Sequence, residues 1–201
     1  MQEETALVEA PHHTSTGIDN TKLAMWTFLG SECLLFGALI SVFLLYRDRA
    51  GPGPRLHDVY DIPFTSVSSF VLLMSSLTMV LALAAIQRGD HHRARTWLVA
   101  TALLGMTFIS GQVYEFTVFT HKGFTVHSSV TGSAFFVLTS FHGAHVTVGI
   151  IMLLTLFTLS IQGKLPQVRW TAVEYVGLYW HFVDIVWIVI FTLVYLIPAP
   201  K

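Results

Sequence analysis

The chain has 201 residues, of which 53% are hydrophobic and only 11% are charged. Soluble domains carry roughly 25% charged residues, so this sequence lacks the charge needed to cover a water-facing surface. The formal net charge of -1 offers no basic surface for nucleic acid, and the single cysteine, Cys33, excludes a disulfide within the chain. The composition predicts a protein whose main solvent is lipid.

The first 21 residues are predicted to form a soluble tail. They contain acidic residues and two histidines but no apolar core of their own. A secretory signal would need a basic start, a short apolar core and a small-residue cleavage site, and none of these is present. We therefore expect the first apolar segment to be retained as its own insertion signal, with residues 22–201 forming one transmembrane domain.

Five apolar segments follow the tail. A bilayer core is roughly 30 Å thick and needs about 20 helical residues to cross it. The segments that meet this length are Lys22–Tyr46, Pro63–Ile86, Trp97–Phe116, Thr131–Ile161 and Ala172–Ile197. Their continuous apolar character excludes the short alternating strands of a barrel. The predicted fold is an all-α, integral membrane bundle of five transmembrane helices.

The connections between the segments are short and give the orientation. The stretch from Gln87 to Thr96 is predicted to be a tight basic turn. Cytoplasmic loops carry an excess of Lys and Arg, and the tail's side of the membrane leads by one basic residue. The tail is therefore predicted to be cytoplasmic and the C-terminus external. The two sets are Lys22, Arg88, Arg93, Arg95, Lys164 and Arg169 against Arg47, Arg49, Arg55, Lys122 and Lys201.

Polar residues occur inside the first and third segments. Glu32 lies about 15 Å along its helix from Lys22, at 1.5 Å per residue, and so near the middle of the membrane. A carboxyl group at that depth is expected to be protonated or paired, either as a structural hydrogen-bonding group or with a part in proton traffic. Gln112 and Glu115 share one helix face. Glu115 lies near a membrane boundary, where it is expected to help fix the helix.

The fourth and fifth segments carry further ionisable pairs. His142 and His145 are three residues apart, as are His181 and Asp184, so each pair shares a helix face. One interpretation is an iron or copper site built from facing helices. The other is a buried hydrogen-bond network in which Asp184 orients or charges a histidine. The loose His-x-x-His spacing and the lack of a second ligand cluster favour the network.

Small residues and tryptophans give the packing pattern. The serines of the second segment and the glycines of the fourth are expected to let helix backbones approach closely. Trp26, Trp97 and Trp170 lie near predicted segment ends, as an aromatic belt would place them. Trp180 and Trp187 fall deeper in the fifth segment and are predicted to pack against neighbouring helices.

Together these polar segments resemble subunit III of cytochrome c oxidase, a haem–copper oxidase. The resemblance covers roughly Lys22 to Tyr195, nearly all of the chain outside the tail. The matching motifs occur in order on the expected helices. They are Ser31-Glu32 followed by Phe36, Gly111-Gln112 with Tyr114-Glu115, Phe141-His142-Gly143 with His145-Val146, and Tyr179-Trp180-His181-Phe182-Val183-Asp184-Ile185-Val186-Trp187.

The resemblance implies the short, five-helix bacterial form, in a subunit without a redox centre, metal or active site of its own. Haems and copper are expected in partner subunits I and II, with subunit III packing on subunit I, binding phospholipid, and supporting proton uptake and resistance to turnover inactivation. Longer members of the family have two further helices that form one arm of a lipid-filled cleft. Glu32 matches the family's buried carboxylate in the helix nearest subunit I. The family's internal polar network is matched by Gln112, Glu115, His142, His145, His181 and Asp184.

The resemblance also implies the bacterial cytoplasmic membrane and a respiratory complex fed by cytochrome c. Subunit III of a quinol oxidase is the nearest alternative, since it uses the same scaffold. Glu32 and Tyr179 favour the cytochrome c type slightly. Two other classes stay open on the residues alone. A membrane metalloenzyme would use His142, His145, His181 and Asp184, and a proton-coupled transporter would be built around Glu32 and Asp184.

Overall fold

The computed structural model describes residues 20–47, 60–163 and 171–197. Within these ranges the chain forms five long helices, each long and apolar enough to cross a membrane. The predicted all-α membrane bundle is confirmed, while the predicted tail lies outside the described residues except for its last two, which begin the first helix. The helices are α1 Asn20–Tyr46, α2 Ile62–Gln87, α3 His91–His121, α4 Val130–Ile161 and α5 Thr171–Phe191, continued by a π-helical turn over Thr192–Leu196.

Side-chain caps fix where three of the helices begin. The Asp61 carboxylate accepts a hydrogen bond from the first turn of α2, and Pro63 occupies that turn, where its missing N–H is not needed. Asp90 caps α3 in the same way, and Ser129 caps α4. These residues satisfy backbone N–H groups that have no partner within the helix.

The third helix is longer than predicted, and the predicted basic turn from Gln87 to Thr96 is wrong. The turn occupies only the three residues between α2 and α3. Its centre, Gly89, has a φ of 76°, a left-handed conformation that favours glycine. Arg93 and Arg95 lie on the first turns of α3. Hydropathy marks where a helix enters the hydrocarbon, but the backbone hydrogen bonds continue into the interface.

The fifth helix is central and the first is peripheral. α5 packs on α1, α2 and α4, while the extensive contacts of α1 are with α4 and α5 only. In the most apolar stretch of each helix, 44% of α5 is buried inside the protein but only 11% of α1. Only Phe36 and Phe43 of α1 are buried. The outer face of α1 is therefore free to contact lipid or another subunit.

Trp180 joins α5 to three neighbouring helices. Its indole Nε1–H donates to the Ser75 hydroxyl of α2 at 2.9 Å. Its ring lies against Gly149 of α4 and Gly105 of α3, where an added Cβ would come within 2.7 Å and 2.6 Å of ring carbons. Trp187 is also buried and donates to Ser69 of α2 at 2.9 Å. The two deep tryptophans pack against neighbouring helices, as predicted.

Candidate functional site

A polar pair joins α1 to α4 within the membrane. Glu32 Oε2 lies 3.1 Å from His145 Nε2, and both side chains are mostly buried. The other ring nitrogen, Nδ1, lies 2.7 Å from the Phe141 carbonyl oxygen. A carbonyl only accepts hydrogen bonds, so Nδ1 carries a proton. The Glu32–His145 contact then needs one more proton, held either by the carboxyl group or by the ring.

A groove lies beside this pair, between α1, α4 and α5. Its volume is about 420 Å³. The Tyr179 hydroxyl donates to the His145 carbonyl oxygen at 3.0 Å, and the Tyr179 ring stacks on Phe28 across the groove. The groove is therefore open and mostly apolar, and its polar part is the Glu32–His145 pair with the Tyr179 hydroxyl. Its lining residues are Met25, Phe28, Glu32, Ala144, His145, Val148, Met152 and Tyr179.

The fifth helix brings His181 against α2 rather than against α4. The His181 Nδ1 atom is hydrogen-bonded to the Ser76 hydroxyl at 2.6 Å. Asp184 lies one turn further along α5 and is buried, but it has no hydrogen-bond partner among the described residues. The expected hydrogen bond between Asp184 and a histidine is therefore not formed in the described part of the chain.

His142 occupies the centre of the bundle without a polar contact. Its side chain is fully buried and stacks on the Trp187 ring, with ring centres 4.9 Å apart. Neither ring nitrogen has a hydrogen-bond partner among the described residues. His142 and His145 lie on neighbouring parts of one helix surface, as their spacing predicted. His145 makes a polar contact with Glu32 of α1, whereas His142 meets that helix only through the Phe36 ring.

The polar residues of α3 face two different helices. The Gln112 amide donates to the Thr139 carbonyl oxygen of α4 at 2.8 Å. Its side chain covers Gly143, where an added Cβ would lie 2.6 Å from Oε1. Glu115 accepts from the Thr65 hydroxyl of α2 at 2.6 Å. These contacts hold α3 to both neighbours.

Glu115 is buried inside the protein between α2 and α3. Only 6% of the residue is exposed. Tyr60, just before α2, belongs to the same region and donates to the Val194 carbonyl oxygen at 3.2 Å. Burial raises the pKa of the Tyr60 hydroxyl well above its ordinary value. Glu115 raises this pKa further, while Arg47 lowers it.

Five of the seven predicted polar residues thus make hydrogen bonds at separate helix interfaces, while His142 and Asp184 have no hydrogen-bond partner among the described residues. Across residues 20–47, 60–163 and 171–197, no three His, Cys, Asp or Glu side chains are close enough together to hold a metal ion. Sequence reasoning missed the Glu32–His145 contact, which joins residues 113 positions apart. It also missed the serines that accept the indole N–H groups. The only sequence signal for those bonds is that the two serines and the two tryptophans are similarly spaced along their helices. Ser69 and Ser75 on α2 face Trp187 and Trp180 on α5.

Comparison with known proteins gives one family. A model of that family, described as cytochrome c oxidase subunit III, matches residues 2–198. Cytochrome c oxidase subunit 3 of Bacillus sp. (strain PS3) is 35% identical over 93% of this chain and 91% of its own length. Quinol oxidase subunit 3 of Bacillus subtilis (strain 168) is 37% identical over 87% of this chain and 85% of its own.

A third relative extends the similarity to another kind of oxidase. Cytochrome bo(3) ubiquinol oxidase subunit 3 of Pseudomonas aeruginosa is 35% identical over 93% of this chain and 88% of its own length. The family model spans all five membrane helices. The chain belongs to the cytochrome c oxidase subunit III family and is a subunit III of the haem–copper terminal oxidases.

Proposed function

We propose that this chain is a non-catalytic subunit of a proton-pumping terminal oxidase that reduces oxygen to water. It packs directly on subunit I, while subunits I and II hold the haems and copper. The observation that carries the proposal is the dispersal of its polar side chains into pairs on separate helix interfaces, in the described part of the chain. Such pairs fix helices against one another, whereas a redox metal needs several ligands converging on one point.

The peripheral position of α1 supports direct packing on subunit I. Its outward face carries large apolar side chains with little cover, including Trp26, Leu34 and Leu45, which are 59%, 77% and 65% exposed. Glu32 lies on this same helix, where its carboxyl group meets His145 of α4. A subunit docked on α1 would therefore contact the helix that holds the Glu32–His145 pair.

The groove beside the pair supports a role in binding phospholipid. Its apolar walls suit an acyl chain, and the Glu32–His145 pair and the Tyr179 hydroxyl form its polar part. The pair holds a single shared proton in a low-dielectric setting. It is thus suited to supporting proton uptake by the complex as well as to organising lipid.

Removal of the chain tests the non-catalytic role. The oxidase is purified from cells that lack this chain, and its haem spectrum and oxygen consumption are recorded during continuous turnover. We expect a normal haem spectrum and a substantial initial rate, followed by faster inactivation than in the complete complex. A normal haem spectrum with no initial activity would show instead that this chain takes part in catalysis.

Two substitutions at Glu32 separate proton support from simple packing. Glu32→Gln keeps a hydrogen bond to His145 but cannot carry the shared proton, whereas Glu32→Leu removes both. We expect both variants to slow proton uptake and shorten the active lifetime. If Glu32→Gln behaves as the unchanged complex while Glu32→Leu is impaired, the pair is structural. Bound phospholipid, measured by mass spectrometry, reports on the groove in the same preparations.

The electron donor to the complex is proposed to be cytochrome c, with quinol as the alternative that the named relatives also support. Neither donor contacts this chain. Oxygen consumption with reduced cytochrome c and with quinol distinguishes them. A dinuclear copper site in the partner subunit II would accompany activity with cytochrome c.

The proposed location is the bacterial cytoplasmic membrane, with the N-terminus cytoplasmic and the C-terminus external. Five helices long and apolar enough to cross a membrane support this, since an odd number of crossings would leave the two ends on opposite sides. Arg88 in the turn before α3, and Arg93 and Arg95 on the first turns of α3, lie on the side where α1 begins, in agreement with the excess of basic residues on cytoplasmic sides. A protease site added to each terminus tests this. Only the C-terminal site should be cleaved in intact spheroplasts, and cleavage of the N-terminal site would reverse the orientation.

A further inference from the structure

Two polar side chains at the centre of the bundle have no hydrogen-bond partner among the described residues. These are His142 on α4 and Asp184 on α5, with both ring nitrogens and both carboxyl oxygens unpaired. His142 is fully buried and Asp184 is 4% exposed. Buried polar groups in proteins are almost always hydrogen-bonded to protein or to ordered water.

The surroundings of His142 cannot satisfy its nitrogens. Its ring stacks on Trp187 and meets Phe108 and Phe36 at steep angles, with ring centres 5.9 Å and 6.4 Å away. A neutral imidazole has one donor and one acceptor nitrogen, both in the ring plane. An aromatic face can accept weakly from an N–H group. It cannot donate to the other nitrogen, so His142 needs a partner that donates.

The Asp184 carboxyl group also lacks a hydrogen-bond partner in the described part of the chain. It lies on the core-facing side of α5 between Trp180 and Trp187, whose indole N–H groups already donate to the serines of α2. The Ser76 hydroxyl interacts with the carboxyl group, but its short hydrogen bond is to His181 at 2.6 Å. Its contact with Asp184 lies outside hydrogen-bond geometry. An ionised carboxyl group needs donors, and a protonated one needs an acceptor for its own O–H group.

Another subunit cannot supply these bonds, because the atoms are covered by helices of this chain. Lipid tails cannot supply them either, since hydrocarbon has no hydrogen-bonding groups. A water molecule both donates and accepts, and buried waters typically join otherwise unsatisfied polar groups. We propose that the core between α2, α3, α4 and α5 binds ordered water, hydrogen-bonded to His142 and to Asp184.

The test uses the complete complex that contains this chain, imaged at a resolution that shows ordered water. We expect density for water within hydrogen-bond distance of a His142 nitrogen and of an Asp184 oxygen. Asp184→Asn keeps a polar group of the same shape and should keep the water at that position. Asp184→Leu should lose it. A direct His142–Asp184 bond, or dry density around both side chains, would overturn the proposal.

Hydroxyl-radical footprinting with X-rays gives a second measurement that needs no variant. Radicals formed from bound water oxidise the side chains beside it even when those side chains are buried. We expect oxidation of His142 and Trp187, whereas Phe135, also 0% exposed but surrounded by aromatic rings, should remain unmodified and serves as the internal control. Equal protection of all three residues would contradict internal hydration.

Both measurements are independent of the proposed role in an oxidase. Failure of that role would appear as the absence of haem subunits from the preparation, whereas the water sites are read from the core of this chain. If Asp184→Leu does not assemble, the density and footprint of the unchanged protein still decide the question.

Discussion

A side chain at position 149 is predicted to clash with Trp180 where α4 packs on α5. An added Cβ there would lie 2.7 Å and 2.8 Å from two ring carbons of Trp180. The indole cannot move aside easily, because Ser75 holds its Nε1–H and Gly105 meets its opposite edge. Overpacking of this kind costs about 1–3 kcal/mol. Replacing a helical glycine by alanine returns about 1 kcal/mol, so Gly149→Ala should lower the free energy of unfolding by about 0–2 kcal/mol.

A double-mutant cycle isolates the steric effect. Trp180→Phe removes the part of the ring that meets position 149, so Gly149→Ala should become neutral or stabilising in that background. The expected coupling is about 1–3 kcal/mol, the size of the clash that is relieved. The free energy of unfolding is measured by far-ultraviolet circular dichroism during titration with SDS in mixed micelles. Effects that add within about 0.5 kcal/mol would refute the proposed contact.

Two further predictions concern buried hydrogen bonds of α2. Ser75→Ala leaves the Trp180 indole N–H without an acceptor and should cost about 1–3 kcal/mol in the same unfolding measurement. Ser66→Ala removes only a bond to a carbonyl of its own helix, so it should change the free energy of unfolding by no more than about 0.5 kcal/mol. Equal losses of stability in the two serine variants would contradict the proposed importance of the Ser75–Trp180 bond. Thr65→Val keeps the shape of the side chain but removes the hydroxyl that donates to Glu115, so we expect a loss of about 1–3 kcal/mol. A stability unchanged by Thr65→Val would show that other groups satisfy Glu115.

The sequence was sufficient to predict the helices because lipid imposes one simple requirement. A crossing segment must satisfy its backbone internally, so a long apolar run becomes a helix. The boundaries were harder where polar residues continue the helix beyond the hydrocarbon. α3 runs from His91 to His121, well past the apolar stretch from Trp97 to Phe116. The Asp90 cap decides its start.

The sequence predicted which polar residues share a helix face, but not which residues their side chains contact. Helical spacing correctly puts His142 on the same face as His145, and His181 on the same face as Asp184. The four side chains nevertheless have different neighbours, and no two of them bond to each other. Which helix each residue faces depends on how the five helices pack against one another. Glu32 meets His145 only because α1 packs on the outside of α4 and α5. A single sequence contains no direct signal for that arrangement.

The proposed function is tested most directly by purifying the tagged chain from its native membrane in mild detergent and then recording a haem spectrum and oxygen consumption. We expect the chain to bring with it the haem- and copper-containing subunits of an active oxidase that uses cytochrome c or quinol. A chain that purifies alone, or that carries metal without any oxidase subunit, would contradict the proposed function and favour a membrane metalloenzyme or a transporter.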